Sequence, residues 1–112
     1  MKTVKWLGSS KKDLLKLPNE VHQEIGYALY LAQLGKTAKS TKVFKGYGSG
    51  LYEIVNNYNK NTYRTVYWVK LNIYVLHVFQ KKSKISIKTP KEEISVIRER
   101  LQYANSIDEE II

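Results

Sequence analysis

The amino-acid sequence predicts an α+β fold in which helices pack against a twisted antiparallel sheet. Three observations support this class. Apolar residues recur at helical spacing in the first third of the chain, and a period of two replaces that spacing from Gly50 onward. A TPKE motif at residues 89–92 then marks the start of a last helix. With 112 residues, 43% of them hydrophobic, the chain is expected to be one domain, residues 1–112, with one modest core.

The N-terminal third predicts one strand followed by two helices. Residues 3–7 alternate weakly and can form a first strand. Two serines can cap a short helix that Pro18 ends or bends. A longer helix is predicted from Pro18 or Asn19 to about Leu34. Its buried stripe is expected to consist of Val21, Ile25, Ala28, Leu29 and Ala32.

A basic, glycine-rich stretch follows the second helix. Residues 36–45 carry a lysine at every third position, which fits either a solvated linker or a basic loop that touches a phosphate backbone. The next segment, GYGSG at residues 46–50, predicts a flexible turn. It lacks the lysine and the Ser/Thr of a P-loop, and no helical pattern follows it. A nucleotide-cradling role is therefore not expected here.

Three strands are predicted after this turn, at residues 51–55, 62–71 and 73–80, because these segments are rich in Tyr, Val and Ile. The breaks between them fall at the turn-prone NNYNKN of residues 56–61 and near Asn72. Short connections join antiparallel neighbours, since a parallel pair needs a long crossover. The three strands are therefore expected to form a meander.

The last helix has a clear start signal. Thr89 is the predicted N-cap, Pro90 the first helical residue, and Glu92 completes a capping box. Asn105 is the predicted end, and residues 106–112 are expected to fray. The predicted buried stripe of this helix consists of Ile94, Ile97, Leu101 and Ala104.

Charge and composition limit the functions that this fold can serve. Lys and Arg number 19 against 10 Asp and Glu, a net charge of +9 that favours a polyanionic partner such as nucleic acid. The alternative is the ordinary composition of a lysine-rich proteome. The chain has no cysteine, and His22 and His77 lie in no metal-ligand spacing, so no disulfide, metal or cofactor is expected. Its apolar runs are too short to span a membrane and nothing resembles a signal peptide, which favours a cytoplasmic protein.

Several polar residues of the predicted sheet are candidates for a site. Alternation along strand 62–71 places Arg64 on one face and Tyr63 on the other. Arg64 either pairs with Glu53 on the adjacent strand or offers its planar guanidinium to a phosphate. His77 is either a satisfied sheet residue or a general acid or base, although no acidic residue lies near it in the sequence. Nine tyrosines also suit RNA, whose unpaired bases stack on aromatic rings.

A lysine cluster follows the last predicted strand without a gap. Its members are Lys81, Lys82 and Lys84, with Lys88 slightly further on. Such a cluster is either a solvated strand end or a set of cations that the stiff strands hold at fixed spacing. Fixed cations are what a phosphate-directed site requires.

The order of these motifs resembles the RelE/ParE superfamily of bacterial toxins, and within it the phage-associated HigB-like branch. The matching segments are KGYGSGLYEI, TYRTVYWV, YVLHVFQKKS, IKTP and the helical RERLQYA, so the likeness covers nearly the whole chain. It implies a compact RelE-like fold with two N-terminal helices and one C-terminal helix. It also implies the toxin of a type II toxin–antitoxin pair that cuts mRNA on the ribosome without a metal or cofactor. The implied partners are a helix-turn-helix, HigA-like antitoxin, mRNA and the ribosome, with no membrane.

The resemblance also implies roles for individual residues. Arg64 matches the family arginine that stabilises the phosphate, and Val55 stands where many relatives have a second arginine. Two alternatives stay open, a non-catalytic ParE-like inhibitor of DNA gyrase and a basic nucleic-acid-binding regulatory module. The candidate catalytic residues are Arg64, Lys81, Lys82, Glu53 and His77, and the candidate RNA-binding residues are Lys45, Lys84, Lys88 and Tyr63.

Overall fold

A computed structural model of the chain describes residues 1–81 and 88–109. Within these residues it confirms the α+β class, with three helices and a five-stranded sheet. Two helices precede the main strands and one follows them, as the sequence predicts. In chain order the elements are β1 (Val4–Trp6), α1 (Ser10–Leu15), α2 (Asn19–Gln33), β2 (Thr41–Val43), β3 (Leu51–Tyr58), β4 (Asn61–Val69), β5 (Ile73–Lys81) and α3 (Lys91–Glu109).

The sheet has the strand order β1-β5-β4-β3-β2 and is mixed. Strands β2 to β5 pair antiparallel with their neighbours in sequence, which confirms the predicted meander. Strand β1 instead pairs in parallel with β5, with Val4 opposite Ile73, so the prediction of an antiparallel sheet is wrong at this edge. The long stretch between β1 and β5 contains two helices and three strands, so no hairpin forces an antiparallel orientation.

Strand β2 was not predicted. It covers three residues, Thr41–Val43, inside the lysine-rich stretch that was interpreted as a linker or basic loop. Three polar-rich residues carry too little apolar alternation to signal a strand. The strand exists because β3 offers it a partner, and the backbone N–H of Phe44 continues the pairing by donating to the carbonyl of Leu51 at 2.9 Å. This pairing places Lys42 directly opposite Glu53.

The β3–β4 hairpin is tighter than predicted. Both strands extend into the NNYNKN segment and leave a turn of two residues, Asn59 and Lys60, with φ values of 50° and 66°. Two consecutive residues with positive φ match the right-handed twist of the flanking strands. A register shift between Val66 and Tyr67 then interrupts the β4–β5 ladder. Such irregularities bend a sheet and change the direction of the side chains beside them.

Each face of the sheet has its own core. On one face α1 and α2 pack against the sheet, and all five residues of the stripe predicted on α2 are buried. The alternation along β4 sends Tyr63 and Tyr67 into that core. Val66 and Trp68 point to the opposite face, where α3 covers them with Ile97 and Ala104. The face that carries Arg64 is therefore the one that α3 covers.

Helix α3 starts later and ends later than predicted. The N–H of Ile94 donates to the carbonyl of Pro90 at 3.0 Å, so Pro90 precedes the helix and does not occupy its first turn. The helix continues to Glu109, because Ile107 packs on the core and the hydroxyl of Tyr74 donates to Asp108 at 2.9 Å. The expectation of fraying is therefore wrong for residues 106–109, and residues 110–112 lie outside the described residues. Among the described helices, none is long and apolar enough to cross a membrane.

Candidate functional site

A buried ion pair between Arg64 and Glu53 lies at the centre of the candidate site. Val55 is directly opposite Arg64 in the β3–β4 register, so Glu53 is its diagonal neighbour on the same face. Arg64 Nη1 donates to Glu53 Oε1 at 2.9 Å. Arg64 is 8% exposed and Glu53 is 2% exposed. The ion pair that the sequence left open is therefore present, and the attraction between its two charges is less screened by water than in an exposed pair.

The ion pair leaves hydrogen-bonding capacity unused. Among the described residues, neither Arg64 Nε nor Glu53 Oε2 has a hydrogen-bond partner, although both atoms are buried. A buried polar atom without a partner is destabilising by about 1–3 kcal/mol. Such atoms concentrate at functional sites, where a ligand can supply the missing partner.

A pocket of about 350 Å³ opens over this pair. Lys42 stands at its rim, with Nζ 3.6 Å from Glu53 Oε1 and 62% of its side chain exposed. Lys45 also lines the pocket, and Thr89 closes it from the segment before α3. The lining residues are Lys42, Val43, Phe44, Lys45, Glu53, Arg64 and Thr89.

Lys81 adds a further positive charge to this region. It pairs with Thr62 at the end of β5, two positions along from the Arg64–Phe79 pair. Partial burial lowers the pKa of Lys81, the positive charge of Arg64 lowers it further, and Glu53 opposes the change. Lys42, Lys45, Arg64 and Lys81 thus place four cations around one carboxylate, a net charge of +3.

His77 belongs to a different cluster. It lies opposite Val66, which in turn lies opposite Glu53, so β4 separates His77 from Glu53, and Arg64 lies on the strand between them. His77 Nε2 is 3.3 Å from Glu93 Oε1, and because a carboxylate only accepts, we assign the proton to Nε2. The imidazole also stacks on Phe79 with ring centroids 4.8 Å apart. Burial lowers the pKa of His77 against the opposing effect of Glu93, so the ring is neutral at pH 7.

The structure brings together some of the predicted site residues and separates others. Arg64, Glu53 and Lys45 meet in the pocket, and Lys81 lies close enough to Arg64 and Glu53 to interact with both electrostatically. Lys88 is exposed beside Thr89. Lys82 and Lys84 fall outside the described residues.

Tyr63 is the prediction that needs correction. It is 5% exposed and packs into the core under α2, on the face of the sheet opposite Arg64. A base cannot stack on a ring enclosed in this way, so the RNA-binding role predicted for Tyr63 is wrong. The alternation along β4 places Tyr63 on the face of the sheet opposite to that of Arg64, and this pattern alone could have excluded Tyr63 from the site.

Two site residues were missed or only loosely indicated by the sequence. Lys42 was one of four regularly spaced lysines, and only β2 reveals that it faces Glu53. Thr89 was interpreted as a helix cap and also lines the pocket. In the described part of the chain, no three His, Cys, Asp or Glu residues are grouped so that they could hold a metal ion.

Comparison with solved structures places this fold in a known class. The chain is similar to a chain of the crystal structure of the toxin–antitoxin complex RelBE2 from Mycobacterium tuberculosis, with a TM-score of 0.50 and 19% sequence identity. The match covers 71% of this chain and 98% of that chain. At this identity it shows a shared fold, which is the RelE-like fold that the sequence resemblance implies.

The family follows from the sequence itself. Residues 12–102 match the family described as "Phage derived protein Gp49-like (DUF891)". This match covers most of the chain, so the protein belongs to the Gp49-like family. Curated protein sequences give no match.

Proposed function

We propose that this protein is the toxin of a type II toxin–antitoxin system, of the phage-associated HigB-like branch, and that it cuts mRNA on the ribosome. One observation carries the proposal: a buried arginine with an unused N–H stands in a pocket of net positive charge. The shared fold with a chain of a toxin–antitoxin complex supports it. The fold match carries no information on activity, which we infer from the pocket and from the sequence resemblance.

The proposed reaction uses the RNA as its own nucleophile. The ribose 2′-hydroxyl attacks the adjacent phosphorus, the bond to the 5′-oxygen breaks, and the products end in a 2′,3′-cyclic phosphate and a 5′-hydroxyl. The transition state concentrates negative charge on the phosphate oxygens. Arg64 stabilises that charge through the donors that Glu53 leaves free, while Lys42 and Lys45 hold the flanking phosphates. Cations already fixed in place need no reorganisation as the charge develops.

Glu53 and Lys81 take the supporting roles. Glu53 fixes the guanidinium through the 2.9 Å hydrogen bond, and its second oxygen is an acceptor available for the 2′-hydroxyl proton. Lys81 has a lowered pKa, which makes its ammonium a better donor to the leaving 5′-oxygen. His77 contacts Glu93 instead of the pocket, so we assign it to the attachment of α3.

The proposed partner in the cell is a helix-turn-helix antitoxin of the HigA-like type. The likeness to a chain that occurs in a toxin–antitoxin complex supports an antitoxin, and the sequence resemblance supports its type. A ribosomal substrate would place the protein in the cytoplasm.

Mapping of mRNA 5′ ends after induction tests the proposal. The wild type is expected to produce new 5′ ends inside coding regions, and Arg64→Ala is expected to reduce their formation by about 100- to 1,000-fold. Lys11→Ala removes one positive charge from an exposed position on α1, outside the lining of the pocket, and should cut like the wild type. Growth arrest with intact mRNA and altered DNA supercoiling would instead identify a gyrase inhibitor.

A further inference from the structure

Two further cavities lie beside the Arg64 pocket. A second cavity of about 990 Å³ lies between residues 46–47 and α3 and shares Thr89 with the Arg64 pocket. A third cavity of about 330 Å³ shares Tyr47, Leu101 and Gln102 with the second. Because neighbouring cavities have lining residues in common, they lie next to one another along the surface. We name the second and third cavities together the α3 groove.

The helix contributes one polar stripe to this groove. The stripe residues are exposed, and their spacing of four, three, four and three positions keeps them on one side of the helix. At 1.5 Å per residue the stripe is about 21 Å long. Two of its members are cations and none is a carboxylate, since the stripe consists of Lys91, Ser95, Arg98, Gln102 and Asn105.

The opposite wall of the groove carries an exposed aromatic ring in a fixed position. Tyr47 is 37% exposed, and its ring stacks on buried Phe44 with centroids 5.5 Å apart and an interplanar angle of 24°. The Tyr47 ring is therefore supported by Phe44 and still accessible. A base that enters the groove meets a platform that is already ordered.

Hydrogen bonds hold the backbone of this loop against the sheet. Trp68 Nε1 donates to the carbonyl of Ser49 at 3.2 Å, and Val69 N donates to the carbonyl of Gly50 at 2.9 Å. Gly50 has a φ of +78°, and a Cβ there would lie 3.0 Å from the Val69 carbonyl oxygen. Glycine at this position permits the close approach that keeps the loop beside the groove.

The positive charge of the groove favours a negatively charged ligand. Lys91, Arg98 and Lys70 line it, and Lys70 lies over the Trp68 ring at 5.3 Å from the centroid. Glu99 is the carboxylate among the described lining residues. A positively charged groove with an accessible aromatic platform fits a single-stranded nucleic acid, which offers phosphates and flat bases together. An acidic protein segment would use the cations but would leave the Tyr47 platform without a role.

We propose that the RNA strand next to the cleaved phosphate lies in the α3 groove, with one base stacked on Tyr47 and its phosphates held by Lys91 and Arg98. This inference rests on the proposed function, because it takes the Arg64 pocket as the point where the strand is cut. It assigns binding roles to Lys91 and Arg98, which were not candidates from the sequence, and to Tyr47, which the sequence indicated only as one of nine tyrosines.

Fluorescence anisotropy with a labelled, fully 2′-O-methylated single-stranded RNA of about 12 nucleotides tests the groove without cleavage. Tyr47→Ala is expected to weaken binding by about 5- to 100-fold, the range for loss of one stacked base. Tyr47→Phe keeps the ring and should bind like the wild type. Tyr103→Ala removes a more exposed tyrosine of α3 that does not line the groove, and it should also bind like the wild type.

Salt dependence provides the second measurement. Arg98→Gln is expected to lower the slope of log K against log salt by about 0.7, the value for one phosphate contact with a single strand. Lys11→Gln removes the same charge from α1 and should leave the slope unchanged. Wild-type affinity in Tyr47→Ala would overturn the inference, and so would equal weakening by the groove and control variants. Unchanged RNA binding with lost co-purification of an antitoxin would reassign the groove to that protein.

These outcomes are distinct from failure of the proposed function. If induced cells show no new mRNA ends but Tyr47→Ala still weakens RNA binding, the groove stands and the nuclease does not. If Arg64→Ala abolishes the cuts while Tyr47→Ala changes neither cutting nor binding, the nuclease stands and the groove is refuted.

Discussion

The buried pair of Arg64 and Glu53 predicts an asymmetric effect on stability. Glu53→Gln keeps the shape of the side chain but leaves a guanidinium that is 8% exposed without its counter-charge. Breaking a buried ion pair in this way costs about 3–5 kcal/mol. The glutamine oxygen still accepts from Nη1, so we expect the lower end, about 3 kcal/mol of unfolding free energy.

Removing the arginine is expected to cost less. Arg64→Gln leaves Glu53 with Lys42, whose Nζ is 3.6 Å away, and the carboxyl can also take up a proton, which a guanidinium cannot lose. The expected loss is about 1–2 kcal/mol, because an exposed lysine compensates only weakly. For a chain of this length, about 4 °C per kcal/mol gives a fall in Tm of about 12 °C for Glu53→Gln and about 4–8 °C for Arg64→Gln.

Urea denaturation followed by circular dichroism measures these losses, and the double variant measures the coupling between the two residues. Because the two side chains are in contact, the double variant should lose about 1–3 kcal/mol less than the sum of the single variants. Equal destabilisation by Arg64→Gln and Glu53→Gln, or two losses that simply add, would contradict this asymmetry.

Three further predictions concern groups outside the ion pair. Burial lowers the pKa of His77 below 6.5, so on acidification the imidazole is protonated in the unfolded chain before it is protonated in the folded protein. The unfolding free energy should therefore fall as the pH drops from 7.5 to 5. Urea denaturation of His77→Gln should show a smaller fall over the same interval. Burial raises the pKa of Tyr67 to about 12. The neutral phenol therefore contributes about 2–3 kcal/mol to the unfolding free energy below pH 10, and this contribution is lost as the pH rises through 12. In Tyr67→Phe, alkaline titration of the unfolding free energy should show a smaller loss over that interval. Gly50→Ala should lower the unfolding free energy by at least about 1–2 kcal/mol by chemical denaturation, since the φ there is +78° and the new Cβ would crowd Val69.

Each of these has an outcome that contradicts it. Identical pH profiles for wild type and His77→Gln between pH 5 and 7.5 would show that the imidazole is not held neutral. A wild-type alkaline profile in Tyr67→Phe would assign the loss to other tyrosines. For the glycine, Gly26→Ala is the matched control, because its Cβ would meet nothing within 4 Å and stability should not fall.

Periodicity accounts for the parts of the fold that the sequence predicted well. The stripe on α2 and the alternation along β4 are local patterns, and each follows from which side of the element faces a core. The parallel pairing of β1 depends on a strand about 70 residues further along the chain, which no local pattern encodes. Strand β2 is too short to carry a pattern and is defined by its partner, β3.

The candidate site was predictable to the extent that it lies on one hairpin. Arg64 and Glu53 belong to adjacent strands of the predicted meander, so their pairing could be expected from the sequence, and the observed register makes them diagonal neighbours. Lys42 reaches the same carboxylate only through the unpredicted β2, and His77 meets its acidic partner Glu93 on a helix 16 residues away. The role of Tyr47 could not be predicted from the sequence, because it depends on the packing of the glycine-rich loop against Phe44. No periodic pattern relates these two residues.

The central claim is that Arg64 stabilises the attack of a ribose hydroxyl on the adjacent phosphate. Purified protein, ribosomes and a defined mRNA test it directly when the chemistry of the new termini is read. We predict 2′,3′-cyclic phosphate and 5′-hydroxyl ends, no cut at a site carrying a single 2′-deoxy substitution, and a loss of about 100-fold or more in Arg64→Ala. Cleavage that persists at the 2′-deoxy site, or an Arg64→Ala variant that cuts at the wild-type rate, would contradict the account.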